Sequence, residues 1–509
     1  MSPLRELRTS SFVLLALSAG VGCEHFARGP GAPGAPPVEH APAEATTPPP
    51  TAVPELAGSS VTRSDLPDPC RGMALPSDQH FVAKGLCARV VASKQGELRQ
   101  ITFAPNGDLF GVTIRGSIRR YRDANHDGVF EPNEIVEFAN TGNENGNNCD
   151  IDVAHGYLYA GTKDGVKRWK YAAELEQGGP GEDVMVGQPG GGNHPFHPVH
   201  VYDGFMYVDS GSEHNATRPD SGTYDTERSV VKRFDLSKFT RGKPFQWQGG
   251  EVFVSGVRNV TGFTRNAAGR MVGVLSGIDD LRYHGQDVHA DNPGEEIVAL
   301  ELGKAYGYPF CFAAARVSEN GQFVPPGSKL GAAWSSQNPL AGITESGKDD
   351  AWCRAHADPP LSFMQAHSSP LGITFFDGPD GALPERYRGG AFIALHGSWD
   401  RTPSTGYKVI WVPFDAQGKT PMPSSTAEST TYPYEVVFGG GANGVARDGA
   451  WSWSVGQLGE SPVRPVGVAI SPVDGALYIS SDNGTVPLKR SSSSTAEGNL
   501  YRVGLERAR

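Results

Sequence analysis

One structural unit recurs six times along the chain, and this repetition constrains the fold more than any other feature. Each copy contains a short apolar run, a turn with a glycine, and a second apolar run. Apolar residues alternate with other residues within the runs, which is the periodicity of β-strands. The copies span Gln100 to Tyr121, Ile151 to Tyr171, Val199 to Ser212, Gly262 to Ile278, Leu371 to Trp399 and Gly467 to Thr485.

The turns between the runs indicate antiparallel hairpins. Asn106-Gly107, Asp203-Gly204 and Asp474-Gly475 supply residues that adopt positive φ easily, as tight hairpins require. About three or four such strands make one propeller blade, so the repeats predict an all-β, six-bladed β-propeller. The alternative is a β-sandwich, which would also show many short strands.

The beginning of the chain has the features of an export signal. Arg5 and Arg8 precede the apolar run Ser11 to Gly22, which is too short to span a bilayer. Residues 1–22 are therefore predicted to be a signal peptide. The run resembles a bacterial lipoprotein signal, which would make Cys23 the lipidated residue; simple cleavage is the alternative.

The next segment differs from the repeats in composition. Residues 23–75 are rich in Pro and Ala and cannot bury enough apolar surface to fold, so they predict a disordered tether. Residues 76–509 are assigned to the propeller. These features predict an exported protein of the periplasm or cell envelope, anchored through a lipid on Cys23.

Charge and cysteine content restrict the partners. The net charge of −11 argues against nucleic acid or an anionic membrane surface, so only a lipid anchor would attach the chain to a membrane. Six cysteines suit an exported protein. Cys311 and Cys353 flank an irregular insertion and are expected to form a disulfide. The chain has no CxxC, which argues against a zinc or thiol-redox motif.

The strongest single motif is an acidic loop. Asp123 to Glu134 matches the calcium-loop pattern D-x-[DN]-x-[DN]-G-x5-E at every position. Calcium takes about six to eight oxygen ligands, which such a loop supplies locally. The alternative is a solvated acidic turn. Because the flanks look like strands, we predict an isolated structural calcium loop with the ligands Asp123, Asn125, Asp127, Val129 and Glu134.

The segments that lead into the innermost strands of a propeller meet at one mouth of its channel. Like charges at such a mouth cost free energy unless a ligand compensates them. Three of the residues in these segments are arginines, Arg99, Arg258 and Arg464, so the sequence predicts a pocket for a small, multiply anionic ligand. The alternative is that each of these arginines is paired with a local carboxylate. The residues concerned are Arg99, Gln100, His194, His197, Arg258, Asn259, His367 and Arg464.

Three histidines follow one another in the run His194, His197 and His200. Side chains alternate in an extended segment, so His194 and His200 share a face and His197 points away. A metal site made from this run alone is therefore disfavoured. One histidine acting as a general base fits better, since its usual pKa lies near neutral pH. A structural, hydrogen-bonded histidine is the alternative.

Two segments are similar to known motifs. Arg258 to Phe263 matches R-N-x-x-G-[LF], and Glu295 to Cys311 is similar to D-E-I-N…G-x-x-Y-G-W-P. Both resemble segments of the soluble sugar dehydrogenases that depend on pyrroloquinoline quinone (PQQ). The resemblance covers roughly Phe81 to Leu505, and that family is a six-bladed propeller with PQQ at the channel mouth. Similarity to the L-sorbosone dehydrogenase branch lies in Ala366 to Phe375, Tyr387 to Phe414 and Arg464 to Ser480.

The resemblance implies PQQ and calcium as cofactors and assigns roles by position. It implies His194 as the catalytic base, with His197 as second choice, and Arg258 as a catalytic residue that contacts the quinone with Asn259. Calcium is implied at Glu295, Glu296 and Tyr306, and backbone carbonyls from around Ala290 to Pro293 are implied for the ion that activates PQQ. The cofactor-binding set is Arg99, Gln100, Arg258, Asn259, Arg401, Lys408 and Arg464.

The resemblance also implies a reaction. The protein would oxidise a sugar, or a sugar-derived aldehyde or hydroxyl, by hydride transfer to a calcium-activated quinone, while His194 removes the hydroxyl proton. The chain has no CxxCH for a c-type haem, so electrons would pass to an external acceptor. Two alternatives are a six-bladed, calcium-dependent lactonase and a binding propeller without catalytic activity.

Overall fold

Six sheets form the blades of a propeller around a central channel, which confirms the predicted all-β, six-bladed fold. The predicted signal segment 1–22, the tether 23–75 and Cys23 lie outside the described residues. The computed structural model describes residues 80–142, 150–215, 226–283, 285–315, 331–336, 347–379, 381–398, 401, 404–423, 434–440, 452–453, 463–482 and 498–505.

The strands are numbered along the chain and grouped by blade from the channel outwards. The first two, β1 (His80–Val82) and β2 (Leu86–Ala92), complete the last two blades. Blade I contains β3 (Leu98–Phe103), β4 (Leu109–Thr113), β5 (Ser117–Tyr121) and β6 (Ile135–Asn140). Blade II contains β7 (Ile151–Ala154), β8 (Tyr157–Gly161), β9 (Gly165–Lys170), β10 (Glu182–Val186) and β14 (Phe245–Gln246). Blade III contains β11 (Val199–Tyr202), β12 (Phe205–Ser210), β13 (Val230–Asp235), β15 (Glu251–Ser255) and β21 (Lys304–Ala305).

The second half of the ring has the same order. Blade IV contains β16 (Val260–Arg265), β17 (Met271–Leu275), β20 (Glu295–Ala299) and β24 (Ser362–Met364). Blade V contains β25 (Pro370–Phe375), β26 (Ala391–Leu395), β28 (Lys408–Val412), β29 (Glu435–Gly440) and β1. Blade VI contains β31 (Pro465–Ile470), β32 (Leu477–Ser481), β33 (Asn499–Leu505) and β2. Shorter elements are β18 (Arg282–Tyr283), β19 (Gln286–Asp287), β22 (Cys311–Ala313), β23 (Ala333–Ser335), β27 (Ser404–Thr405), β30 (Ser452–Trp453), the helix α1 (Asp350–His356), and 3-10 turns at Leu236–Lys238, Trp247–Gly249 and Glu385–Tyr387.

Strands from the beginning of the described chain close the ring. β2 pairs with β33, with Leu86 opposite Leu505, and is the outermost strand of blade VI. β1 pairs with β29 as the outermost strand of blade V. Two neighbouring blades therefore each combine an early strand with late ones.

The innermost strands are not spaced evenly around the channel. Corresponding positions carry Gly262, Gly372 and Gly467 in blades IV to VI, and a Cβ at any of them would collide with the backbone of the next innermost strand. Polar side chains occupy the other half of the ring, beside a channel cavity of about 400 Å³. In blades I to III these side chains belong to Gln100, Asp150 and His200.

An insertion in blade IV lies between β20 and β24 and is cross-linked. The disulfide Cys311–Cys353 confirms the predicted bridge, with Cα atoms 5.6 Å apart. It joins β22 to α1 and so fixes the turn that precedes β22. Within the described ranges, no helix is both long and apolar enough to cross a membrane.

Candidate active site

His194 lies in the segment that leads into β11, with 9% of its surface exposed. Its Nδ1 is 2.9 Å from the carbonyl oxygen of Ser212 and 2.9 Å from the hydroxyl oxygen. A carbonyl oxygen can only accept, so Nδ1 carries the ring proton and Nε2 keeps a lone pair. Burial and then the charge of Arg258 lower the pKa of His194 to about 3. At neutral pH the ring is a neutral imidazole.

The other two histidines of the run have different surroundings. His197 is 1% exposed, and its Nδ1 lies 2.9 Å from Nε2 of Gln188 inside the protein. His200 lies in the channel, with Nε2 3.3 Å from a carboxylate oxygen of Asp150. Burial opposes its charge, but Tyr202, Asp150 and Asp152 hold the pKa of His200 well above its usual value. The three rings therefore form no common metal site.

Arg258 precedes β16 and is buried. Its guanidinium donates to a carboxylate oxygen of Asp279 at 2.7 Å and to the side-chain oxygen of Asn215 at 3.0 Å. Its Nε donates to the backbone carbonyl of Asn215 at 3.0 Å. The adjacent Asn259 is also buried, and its side-chain oxygen has no hydrogen-bond partner among the described residues.

Asp279 lies between Arg258 and His367. Its second carboxylate oxygen is 3.5 Å from Nδ1 of His367, whose Nε2 is 2.6 Å from the carbonyl oxygen of His289. Burial raises the pKa of Asp279, but Arg258 and then His367 outweigh it and hold this pKa below its usual value. Asp279 is therefore an ionised carboxylate that the sequence analysis did not identify.

A second cluster surrounds Asp482, which follows β32. Arg99 donates to Asp482 at 3.0 Å, and Nε2 of His396 is 2.9 Å from the same oxygen. Arg464 lies 3.0 Å from Nδ1 of His396. Burial raises the pKa of Asp482, but His396, Arg99 and Arg464 lower it far more. Burial and then Arg464 lower the pKa of His396 to about 4, so His396 is neutral.

The remaining predicted cofactor ligands lie at several places around the ring. Gln100 donates from blade I to the carbonyl oxygen of Leu371 in blade V. Arg401 lies 3.4 Å from a carboxylate oxygen of Asp291. Lys408 begins β28 and is fully buried, with Nζ 5.7 Å from the ring centre of Tyr434.

A contact links the clusters around Asp279 and Asp482, and most of the arginine charges are balanced by carboxylates. The guanidinium of Arg99 lies 5.0 Å from the ring centre of Phe196, which lies between His194 and His197 in sequence. Arg464 contacts His396 rather than a carboxylate directly. Two of the three arginines of the predicted pocket have carboxylate partners, as the alternative interpretation expected: Arg99 pairs with Asp482 and Arg258 with Asp279. Arg401, which only the resemblance added, pairs with Asp291.

The missed residues share a position that the repeat predicts. Asp279, His396 and Asp482 follow β17, β26 and β32, the second strand of a blade in each case, and Ser212 follows β12. An antiparallel hairpin returns its second strand to the end where the first one began. The residues after the second strands therefore meet those that lead into the first strands.

The acidic loop lies between β5 and β6. The Asp123 carboxylate accepts the N–H groups of Asp127 (3.1 Å) and Gly128 (2.8 Å), and Glu134 accepts that of Ala124 (2.8 Å). Burial, with Asp127 and Glu134, raises the pKa of Asp123. Among the described residues no group of three or more His, Cys, Asp or Glu is arranged to hold a metal ion. Calcium binding by Asp123, Asn125, Asp127, Val129 and Glu134 stays a prediction.

The other three predicted calcium ligands point to different places. Neighbouring residues of a strand face opposite sides. Glu295 accepts the N–H groups of Gly277 (2.9 Å) and Ser369 (3.0 Å). Burial and then Glu295 raise the pKa of Glu296 to about 8. The Tyr306 hydroxyl donates to the carbonyl oxygen of Ala299 at 2.7 Å.

Comparison with known proteins identifies the family. A family model described as TrAA12-like matches residues 80–486. The chain belongs to the TrAA12-like family. This TrAA12-like chain is 28% identical over 432 residues to a pyrroloquinoline quinone-dependent pyranose dehydrogenase of Coprinopsis cinerea, covering 81% of this chain and 54% of the relative. It is 29% identical over 288 residues to a pyrroloquinoline quinone-dependent sugar dehydrogenase of Hypocrea jecorina, covering 55% of this chain and 57% of the relative. The chain thus spans about half the length of these relatives, whose names agree with the family that the sequence resembles.

Solved structures share the fold of this TrAA12-like chain. A family AA12 structure from Trichoderma reesei superimposes with a TM-score of 0.68 at 22% identity, covering 85% of this chain and 98% of that one. The PQQ domain of pyranose dehydrogenase from Coprinopsis cinerea, in its holo form, gives 0.66 at 24% identity, covering 86% and 99%.

Proposed function

We propose that this protein is a PQQ-dependent dehydrogenase that oxidises sugars of the aldose or sorbosone type and uses calcium as a second cofactor. The observation that carries the proposal is His194, a neutral imidazole whose proton is fixed on Nδ1 by Ser212 beside the buried Arg258. The named relatives, both PQQ-dependent sugar dehydrogenases, support the assignment.

The side chains at the mouth fit PQQ in chemistry. PQQ is a tricarboxylate, and guanidinium groups bind carboxylates through paired, charge-assisted hydrogen bonds. The side-chain oxygen of Asn259 is a buried polar atom with no partner in the described parts of the chain, and a ligand would satisfy it. When bound, the quinone would accept a hydride while calcium polarises it. The residues that would hold PQQ are Arg99, Gln100, Arg258, Asn259, Arg401, Lys408 and Arg464.

His194 would act as the general base. Its Nε2 accepts the proton of the substrate hydroxyl, while Ser212 keeps the ring oriented. A base with so low a pKa is weak, because burial and Arg258 disfavour the charged ring. A bound anion beside Arg258 would offset that charge and raise the pKa of His194 towards neutral pH. His197 is enclosed and would not meet a substrate.

Calcium is proposed at two places on different grounds. The loop from Asp123 to Glu134 has the residue types of a calcium loop and a carboxylate, Asp123, whose pKa is raised by burial and then by the charges of Asp127 and Glu134. Around Glu295, Glu296, Tyr306 and the carbonyls of 290–293 only the family resemblance supports an ion.

Export and electron transfer complete the proposal. We infer a periplasmic or cell-envelope protein, with residues 1–22 as signal peptide and Cys23 as lipid attachment site. Electrons would pass to an external acceptor.

The deciding experiment is a titration of metal-free protein with PQQ and calcium, followed by quinone absorbance and by dye reduction with a panel of aldoses and sorbosone. We expect PQQ binding and sugar-dependent turnover. The His194→Ala variant should lose turnover, whereas His356→Ala, a change at an exposed histidine of α1, should leave it intact. Binding without turnover on any sugar would leave a binding propeller. Absence of PQQ binding would refute the proposal, and a lactonase assay would then test the remaining alternative.

A further inference from the structure

Asn215 contacts both loops that surround Arg258. Its side-chain oxygen accepts hydrogen bonds from the Arg258 guanidinium (3.0 Å) and from the N–H of Asp279 (2.8 Å). Its side-chain amide donates to the carbonyl oxygen of Asp279 (2.8 Å), and its backbone carbonyl accepts from Nε of Arg258 (3.0 Å). Asn215, in the segment that follows β12, thus binds both Arg258 and the loop that carries its carboxylate partner, Asp279.

Tyr308 supports Asn215 from the other side. Its hydroxyl lies 3.0 Å from the carbonyl oxygen of Asn215 and 3.2 Å from that of His214. Tyr308 is 5% exposed and lies three residues before Cys311, which the disulfide joins to Cys353. Through Tyr308, the cross-linked insertion of blade IV therefore contacts the backbone that follows β12 at the mouth.

We propose that Asn215, supported by Tyr308, is a positioning residue that fixes the Arg258 guanidinium beside Asp279 at the channel mouth. Arginine has many rotamers, and a guanidinium held at three nitrogen–oxygen contacts is ordered before any ligand arrives. The consequence for PQQ binding rests on the proposed function. The consequence for His194 does not, because Arg258 acts on that ring in the cofactor-free protein.

The proposal predicts an electrostatic change at His194. The charged groups that act on this ring are Arg258, Asp279 and Arg228, of which Arg258 is the strongest. Asn215→Ala removes the side-chain contact to the guanidinium and leaves the backbone contact at Nε and the pair with Asp279. The guanidinium then turns more freely and spends less time near the ring, so the charged imidazole becomes less unfavourable. We expect the proton-binding constant of His194 to rise roughly tenfold, which is about one pKa unit.

The experiment uses cofactor-free protein and two variants, Asn215→Ala and the milder Tyr308→Phe. The matched control is Tyr283→Phe, which removes another hydroxyl near the same insertion, hydrogen-bonded to Asp350 at 2.7 Å. The imidazole of His194 is titrated by NMR, with His194→Gln to assign its signal among the 14 histidines. Thermal unfolding of each variant is recorded in parallel.

A raised His194 pKa in both variants, but not in Tyr283→Phe, supports the positioning role even if all three lose stability. PQQ affinity, measured by quinone absorbance, should fall roughly threefold to tenfold in the same two variants, since the guanidinium must then be ordered on binding. An unchanged His194 pKa in both variants would overturn the proposal. If the wild type binds no PQQ, the proposed function fails, and the His194 titration alone still decides this one.

Discussion

The Nδ1 atom of His194 and the carbonyl oxygen of Ser212 lie 2.9 Å apart, and this contact decides which ring nitrogen carries the proton. It also places a neutral histidine in a buried site next to a cation. Such a ring makes folding sensitive to acid, because the unfolded chain binds a proton that the folded chain resists.

The first prediction concerns this acid sensitivity. Burial and Arg258 lower the pKa of His194 from 6.5 to about 3, so the unfolded state binds more protons in that interval. The contribution of neutral His194 to the free energy of unfolding is fully present above pH 6.5. As the pH is lowered below 6.5, this free energy decreases by about 1.4 kcal/mol per pH unit for one group. His194→Gln should therefore make the free energy of unfolding, measured in urea from pH 7 to pH 4, decline less steeply. His356→Gln, at an exposed site, should keep the wild-type slope; equal slopes in all three proteins would contradict the assignment.

The second prediction concerns Asp482. Asp482→Asn removes the charge that compensates Arg99 and Arg464 inside the protein, and loss of one partner of a buried pair costs on the order of 3 kcal/mol. The control is Asp183→Asn, which removes an ion pair with Lys167. This pair has the same 3.0 Å length, but the Asp183 side chain is half exposed. That change should cost less than about 1 kcal/mol. Urea unfolding at pH 7 measures both, and similar losses would show that burial of the cluster is unimportant.

The third prediction concerns the close half of the ring. Gly372→Ala places a Cβ against the carbonyl oxygen of Val466 in the next innermost strand, and backbone cannot move aside easily. We expect a loss of at least about 1–3 kcal/mol in thermal or urea unfolding. Gly249→Ala, where a Cβ meets nothing within 4 Å, should be tolerated. A stable Gly372→Ala protein would mean that the innermost strands are further apart than described.

The fourth prediction concerns the acidic loop. If it binds calcium, adding the ion to chelator-treated protein should raise the melting temperature, with about 2.7 kcal/mol of stabilisation at a hundredfold excess over Kd. Glu134→Gln should reduce this gain, because Glu134 supplies the closing carboxylate. Glu137→Gln, at an exposed position of β6 outside the loop, should retain it. A calcium effect that is equal in both variants would place the ion elsewhere.

Much of the fold could be predicted from the sequence because its determinants are local. Alternation of apolar residues and the turns at Asp203-Gly204 and its equivalents define hairpins within short stretches, and six equal units have few ways to bury their faces. The disulfide was predictable because Cys311 and Cys353 flank a single insertion. The choice of His194 over His197 as the base came from the family resemblance, and strand alternation argued only against a metal site made of the three histidines.

The partners of the predicted residues were not predictable in the same way. Arg99 and Asp482 lie 383 residues apart and meet only because the ring closes. Asp279 belongs to no motif, and His396 lies in the segment Tyr387 to Phe414 without an assigned role. The signal of both residues is positional, because each follows the second strand of a blade. The proposed set Glu295, Glu296 and Tyr306 came from resemblance alone, which carries no information about which face of a strand each side chain occupies.

The way the ring closes sets the order of events during synthesis. The chain is made from its N-terminus, so β1 and β2 emerge first, yet their partners β29 and β33 are among the last strands to appear. Until then, both early strands present unpaired backbone groups, a state that favours pairing with other chains. The ring therefore closes on strands from both ends of the described chain, and it stays open to misassembly until residue 505 is available to pair with residue 86.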